Sequence, residues 1–130
     1  MLSLGSNAPV FSLPDQNGVT RSLNDVKKLV LYFYPRDFTP GCSIELADFA
    51  KLYAKFKEKG FEVYGVSDDS IDRHKKFCDA FKSSFPLLSD EEGIVSKSYG
   101  AWKNKGIFGE GKGDQGCFFN VMRDFYRRYL

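Results

Sequence analysis

The chain reads as an α/β domain in which one sheet carries helices on its faces, and three observations predict this. Continuous apolar runs of strand length stand at Leu29 to Tyr34 and at Phe61 to Val66, the pattern of strands buried on both faces. Each run is followed by a stretch with apolar residues at three- and four-residue steps, so the order strand, helix, strand, helix implies a parallel crossover. With 130 residues, 42% hydrophobic, thirteen Phe and seven Tyr, the chain can fill one core without disulfide staples, so a single domain over 1–130 is expected.

Val10-Phe11-Ser12-Leu13 and Val19-Thr20-Arg21-Ser22-Leu23 flank Asp15-Gln16-Asn17-Gly18, whose Asn-Gly pair predicts an N-terminal hairpin. The run from Leu29 ends at Pro35 and reads as a central strand. From Pro40 to Lys59, Leu46, Phe49, Leu52, Tyr53 and Phe56 form one apolar stripe, and Gly60 stands where a helix stops. After the second strand, Ser70 opens a second helix whose His74, Phe77, Cys78 and Phe81 share a stripe. Pro86 to Ser89 reads as a third strand, Asp90 to Gly93 as a turn, and Ile94 to Tyr99 as a short helix. Residues 104–116 hold five glycines among polar residues and read as a loop. The end of the chain fits two patterns. One is a strand at Cys117 to Val121, a tight turn and a strand at Phe125 to Leu130; the other is one helix with Phe118, Met122, Phe125, Tyr126 and Tyr129 on a face. The strand pair is preferred.

Nineteen basic and seventeen acidic residues give a net charge of +2 spread along the chain, which argues against a nucleic-acid partner or an acidic membrane surface. Three cysteines are too few and too odd for a secreted disulfide framework and suit a reducing compartment. Met1 to Gly5 carry no basic flank or apolar leader, so neither export nor membrane insertion is signalled. A cytoplasmic protein is expected, with an organelle, after removal of a targeting peptide, as the alternative.

The segment Tyr32-Phe33-Tyr34-Pro35-Arg36-Asp37-Phe38-Thr39-Pro40-Gly41-Cys42 runs from the central strand straight into a helix start. Thr39 is a favoured N-cap and Pro40 suits the first helical position, which puts Cys42 at about the third. There a thiol meets unpaired backbone N–H groups and the positive end of the helix dipole, both of which favour the nucleophilic thiolate. A buried, inert cysteine is the competing reading. Its neighbours favour reactivity. Gly41 lets a reactant approach the backbone, Pro35 and Pro40 stiffen the turn, and the Thr39 hydroxyl can donate to an oxygen or to sulfur. Peroxide reduction needs such a nest, where a thiolate attacks one oxygen while fixed donors stabilise charge on the departing one.

On these residues the chain resembles, over residues 8 to about 103, a peroxiredoxin of the bacterioferritin comigratory protein, or peroxiredoxin Q, group. Pro35, Thr39 and Cys42 match the family's proline, three residues, threonine, two residues, cysteine signature, written here YPRDFTPGCSIE. Supporting matches are Ala8-Pro9-Phe11, Phe85 to Asp90, and Tyr99-Gly100 followed by Trp102. The resemblance implies a thioredoxin-like fold, a central mixed sheet flanked by helices, with Cys42 as the peroxidatic cysteine. In this group the resolving cysteine stands either five residues later or on the next helix. Position 47 is Ala47, and Cys78 falls where the second type carries it. The other reading of Cys78 is a core residue of the Phe77 and Phe81 stripe. Joining the two cysteines from helices requires local unfolding.

The C-terminal part is shortened or diverged. The resemblance implies an arginine-led strand after a Trp-containing helix, but Gln115 to Phe119 contain no arginine, and the usual last helix is missing. Lys112, Arg123 or Arg36 is left to substitute, or the site is slow. Cys117 reads as a strand or tail residue. Gly111 to Gly116 match a dinucleotide pattern and Gly106 to Lys112 come near a phosphate loop, but neither sits between a strong strand and a helix, so both read as coincidence. His74 reads as a surface residue, the cysteines lack zinc spacings, and Glu45 and Asp48 read as favourable charges near the start of the first helix.

The leading expectation is a thiol peroxidase acting on hydrogen peroxide and alkyl hydroperoxides. Cys42 attacks, Thr39 positions the oxygen, Pro35 shields the thiolate and Cys78 forms the disulfide. By resemblance thioredoxin is the reductant, no metal or flavin is needed, and the protein is a monomer. The alternative is a catalytically impaired redox switch or thiol-binding module. A generic disulfide oxidoreductase is disfavoured because Ser43, Ile44 and Glu45 offer no Cys-x-x-Cys pair.

Overall fold

The architecture follows from where the apolar runs can find cover. The computed structural model describes residues 7–34, 36–103, 106–107 and 118–121, with residues from 102 onward described by backbone alone. Strands β1 (Ser12–Pro14) and β2 (Thr20–Ser22) form the expected antiparallel hairpin, Leu13 opposite Arg21. Its turn is built by buried Asp15, whose Oδ1 accepts the amides of Asn17 at 2.8 Å and Val19 at 3.0 Å, and by Gly18 at φ +78°.

Strand β3 (Lys28–Phe33) is central. It runs parallel to β4 (Phe61–Ser67), which is parallel to β5 (Leu87–Ser89), and its other edge pairs antiparallel with β8 (Phe118–Val121). The sheet order β5-β4-β3-β8 is therefore mixed, as the thioredoxin-like reading implies. Helix α1 (Pro40–Glu58) joins β3 to β4, and α2 (Ile71–Phe81) joins β4 to β5. Helix α3 (Ile94–Ser98) follows β5, its first amides held by Asp90.

Residues of β3 alternate strictly between two cores, as a period of two demands. Leu29, Leu31 and Phe33 pack with Phe11, Leu23, Tyr64, Val66, Val95 and Tyr99 on the face of the hairpin and α3. Val30, Tyr32 and Tyr34 pack with Cys42, Leu46, Val63, Phe77, Cys78 and Phe85 on the face of α1 and α2. Gly65 lies opposite Tyr32, and a Cβ there would come within 2.7 Å of Leu87 and 2.9 Å of the Tyr32 ring. The absent side chain lets Tyr32 lie flat and stack on Phe49 of α1 at 4.5 Å.

Downstream the structure departs from the sequence reading at residues 102–107 and agrees with its preferred strand at 118–121. Trp102 begins strand β6 (Trp102–Lys103) rather than continuing a helix, and β6 pairs with β7 (Gly106–Ile107) inside the stretch read as loop. Residues 118–121 are a strand, because the open edge of β3 needs a hydrogen-bonding partner, so the helix alternative fails there. The turn and second strand expected at 122–130, and the glycine pattern at 111–116, lie outside the described residues.

Candidate active site

Thr39 is the N-cap of α1 and Pro40 its first residue, so Cys42 sits at the third helical position. It is 3% exposed and packs in the apolar cluster under α1 and α2. Gly41 beside it is exposed, and a Cβ there would meet no group from outside its own stretch of helix. The Thr39 hydroxyl donates to the Arg36 carbonyl at 3.1 Å, closing the loop rather than capping the helix. To reach a substrate oxygen it would exchange that bond. No acidic residue lies in the first turn of α1, so no side chain of that turn cancels its positive end. Glu45 comes later, and burial first, then Asp48, pushes its carboxyl above the usual range. Pro35 lies outside the described residues.

Cys78 sits in the last turn of α2, 3% exposed, in the same apolar cluster as Cys42. Neither cysteine is in a disulfide. Burial first, and the charges of Asp37 and Asp79 next, push the Cys78 thiol up to about 12, so it is protonated at neutral pH. Its core-residue reading and its position on the second helix hold together in this state. Cys117 lies outside the described residues.

A buried polar network that ties the loop before α1 to α2 escaped the sequence reading. His74 is 0% exposed, not a surface residue. Its Nδ1 lies 2.6 Å from Asp37 Oδ2, and its Nε2 donates to the Leu88 carbonyl at 3.0 Å. Tyr34 donates its hydroxyl to Asp37 Oδ1 at 2.6 Å. The Asp37 amide donates to Asp69 Oδ2 at 2.7 Å, which also accepts from Ser67 Oγ. Arg73 binds Asp69 Oδ1 through Nε at 3.0 Å and donates from Nη2 to the Asp37 carbonyl at 3.1 Å. The signal was present: His74 shares the stripe of Phe77 and Cys78, and a polar residue there is buried with its partners. Asp37, Asp69 and His74 bring their ligating atoms within 4.8 Å of one another. Every carboxylate oxygen of the two aspartates already has a protein partner and Arg73 supplies the cation, so the set is complete as a hydrogen-bond network.

Phe38 completes the loop in an unusual way. Its φ of +68° is left-handed, a costly conformation for an aromatic residue, and its ring is 41% exposed. The ring packs 4.9 Å from Phe77, with the Arg73 guanidinium 5.4 Å away over its face.

A mixed sheet with a parallel βαβ crossover, and a thiol on the first turn of the helix leaving its central strand, define the class as thioredoxin-like thiol proteins. Comparison with known proteins narrows this. A model of the AhpC/TSA family matches residues 4–121. A putative peroxiredoxin bcp of Coxiella burnetii is 39% identical over 111 residues, covering 84% of this chain and 74% of that protein. The crystal structure of the peroxidoxin BcpB from Mycobacterium tuberculosis superposes with a TM-score of 0.76 at 34% identity, over 84% of this chain and 71% of that one. Peroxiredoxin Q of Xanthomonas campestris, solved with either of two cysteines 36 positions apart replaced by serine, gives 0.69 at 35% identity over 72% of this chain and 60% of that one. The chain belongs to the AhpC/TSA family, among the peroxiredoxins of the bcp and peroxiredoxin Q type. Among the described residues no helix is long and apolar enough to cross a membrane.

Proposed function

We propose that the chain is a thiol-dependent peroxidase acting on hydrogen peroxide and alkyl hydroperoxides by a two-cysteine cycle. Cys42 thiolate attacks the terminal peroxide oxygen. The S–O bond forms as the O–O bond breaks, and the departing oxygen takes a proton to leave as water or an alcohol. Cys78 then attacks the Cys42 sulfenic acid, the S–S bond forms, and the sulfenic oxygen leaves as water with the Cys78 proton. A dithiol reductant of the thioredoxin type returns both thiols by exchange. The observation that carries this reading is Cys42 at the third position of α1, in a first turn that holds no acidic residue. Cys78, 36 positions later as in the Xanthomonas pair, supports the resolving role. The cytoplasm is the proposed compartment and a monomer the working form.

In this reading Thr39 gives up its bond to Arg36 to hold the substrate oxygen, and Pro35 limits water at the sulfur. Arg21 and Arg73 are committed to Asp15 and Asp69, whereas Arg36 is exposed on the loop into α1, which makes it the described candidate for the missing arginine. Cys42→Ser abolishes thioredoxin-driven peroxide consumption, by a factor of about a thousand or more, because no other nucleophile stands at the helix start. Cys78→Ser keeps one turnover per chain and stops recycling. Full consumption by Cys42→Ser would overturn the assignment. The redox-switch alternative draws on the arginine missing from Gln115 to Phe119 and requires slow sulfenic acid formation, so the rate of that step separates the two.

A further inference from the structure

The network that joins the loop before α1 to α2 has a mechanical position that neither family membership nor the two-cysteine cycle assigns. Residues 37 and 38 lie on the loop that ends at Thr39 and Cys42, and Arg73, His74 and Phe77 lie on the helix that carries Cys78. The loop touches the helix through side chains and backbone together: the Asp37 carboxylate to His74, the Asp37 carbonyl to Arg73, and the Phe38 ring to Phe77 and Arg73. Behind them Tyr34, Ser67, Asp69 and the Leu88 carbonyl, from the residue after β3, β4, the β4–α2 loop and β5, anchor the same groups to the sheet. Arg73 and His74 stand in the first turn of α2 and Phe77 stands next to Cys78, so α2 cannot part from the Cys42 loop without breaking these contacts, and Phe38 holds its side of the clasp in a left-handed conformation.

We propose that Asp37, His74 and Arg73, with Phe38 as the clasp, form a latch between the Cys42 loop and α2, and that its release limits the rate at which Cys78 reaches the oxidised Cys42. These are positioning residues, since none of them need touch the peroxide. The proposal rests on the two-cysteine cycle above. The buried, protonated state of Cys78 fits it, because a thiol held in this way reacts only after the helix opens.

The test separates two kinetic phases by rapid acid quench and peptide mass spectrometry. Sulfenic acid formation is second order in peroxide, and disulfide formation is first order and independent of peroxide. Arg73 is half exposed, so Arg73→Ala leaves the core intact while removing the bonds to Asp69 and Asp37. Its disulfide phase is expected to be about tenfold faster, with the peroxide phase changed less than about twofold, and Arg73→Lys should return part of the slow phase. His74→Gln, checked for folding by circular dichroism, should exceed Arg73→Ala in the disulfide phase alone. A disulfide that forms in the parent at the same rate as in Arg73→Ala overturns the latch and leaves the cycle standing. A change confined to the peroxide phase also overturns it, and a parent that forms no Cys42 to Cys78 disulfide overturns the cycle and the latch together.

Discussion

Cys42 and Cys78 are the same residue type in one apolar cluster, yet they occupy opposite ends of two helices. Cys42 stands in the first turn of the 19-residue α1, where the dipole is positive and no acid of that turn offsets it. Cys78 stands in the last turn of the 11-residue α2, where the dipole is negative, no basic residue lies in that turn, and burial with the charges of Asp37 and Asp79 outweighs the opposing charge of Lys75. The helices also end differently. α1 closes on Gly60 at φ +83°, a residue suited to that turn, whereas α2 closes on Lys82 at φ +52°, with the Ser83 amide reaching back to the Cys78 carbonyl at 2.9 Å. One thiol is placed to react where it lies. The other is held protonated by burial and, in the proposed cycle, reacts only once α2 opens.

Alkaline pH breaks this contrast most strongly. The Cys78 thiol is raised from its ordinary 9.0 to about 12 in the closed helix, so the closed form is favoured in full below about 9 and loses that advantage as pH climbs toward 12. Amide protection across α2 should therefore fall by up to about tenfold between about pH 9 and about pH 10, while α1 changes little. Cys78→Ala should remove the difference between the helices in this respect. An equal fall in that variant would mean that another group opens α2.

The charge environment of Cys42 is sharpened by Arg36→Ala. Losing a nearby cation should lower the second-order rate of Cys42 oxidation about three- to tenfold and leave disulfide formation unchanged. An unaltered rate would move the role to Lys112 or Arg123. The smallest effect is expected at the end of α2. Lys82→Gly relieves a left-handed non-glycine residue, worth about 1 kcal/mol, and should slow disulfide formation about fivefold by steadying the closed helix. Stopped-flow rates at saturating peroxide would show it.

What was legible in the sequence was local. The β3 and β4 runs, the Thr39-Pro40 start of α1, the Ser70 start of α2 and the Asn-Gly hairpin each declare themselves within a few residues, and each appears within about two residues of its expected place. The latch was not legible, because Asp37 meets Asp69 and His74 across 32 and 37 positions, and nothing local marks Asp37 as buried. His74 was misread for a related reason: its Lys and Asp neighbours on α2 face solvent, while its own stripe faces the core. Strand β7 was hidden by its glycine, since two residues carry no period. Thr39 shows the limit within the site itself. Its place as N-cap was readable, but the hydroxyl turned toward Arg36 depends on the backbone path of the whole loop.

The most direct measurement gives reduced protein one equivalent of hydrogen peroxide for a few seconds, blocks the remaining thiols and maps the peptides by mass. A disulfide between Cys42 and Cys78 is the predicted result. A Cys42 that remains an unmodified thiol, or a sulfenic acid that persists while Cys78 stays free, would contradict it.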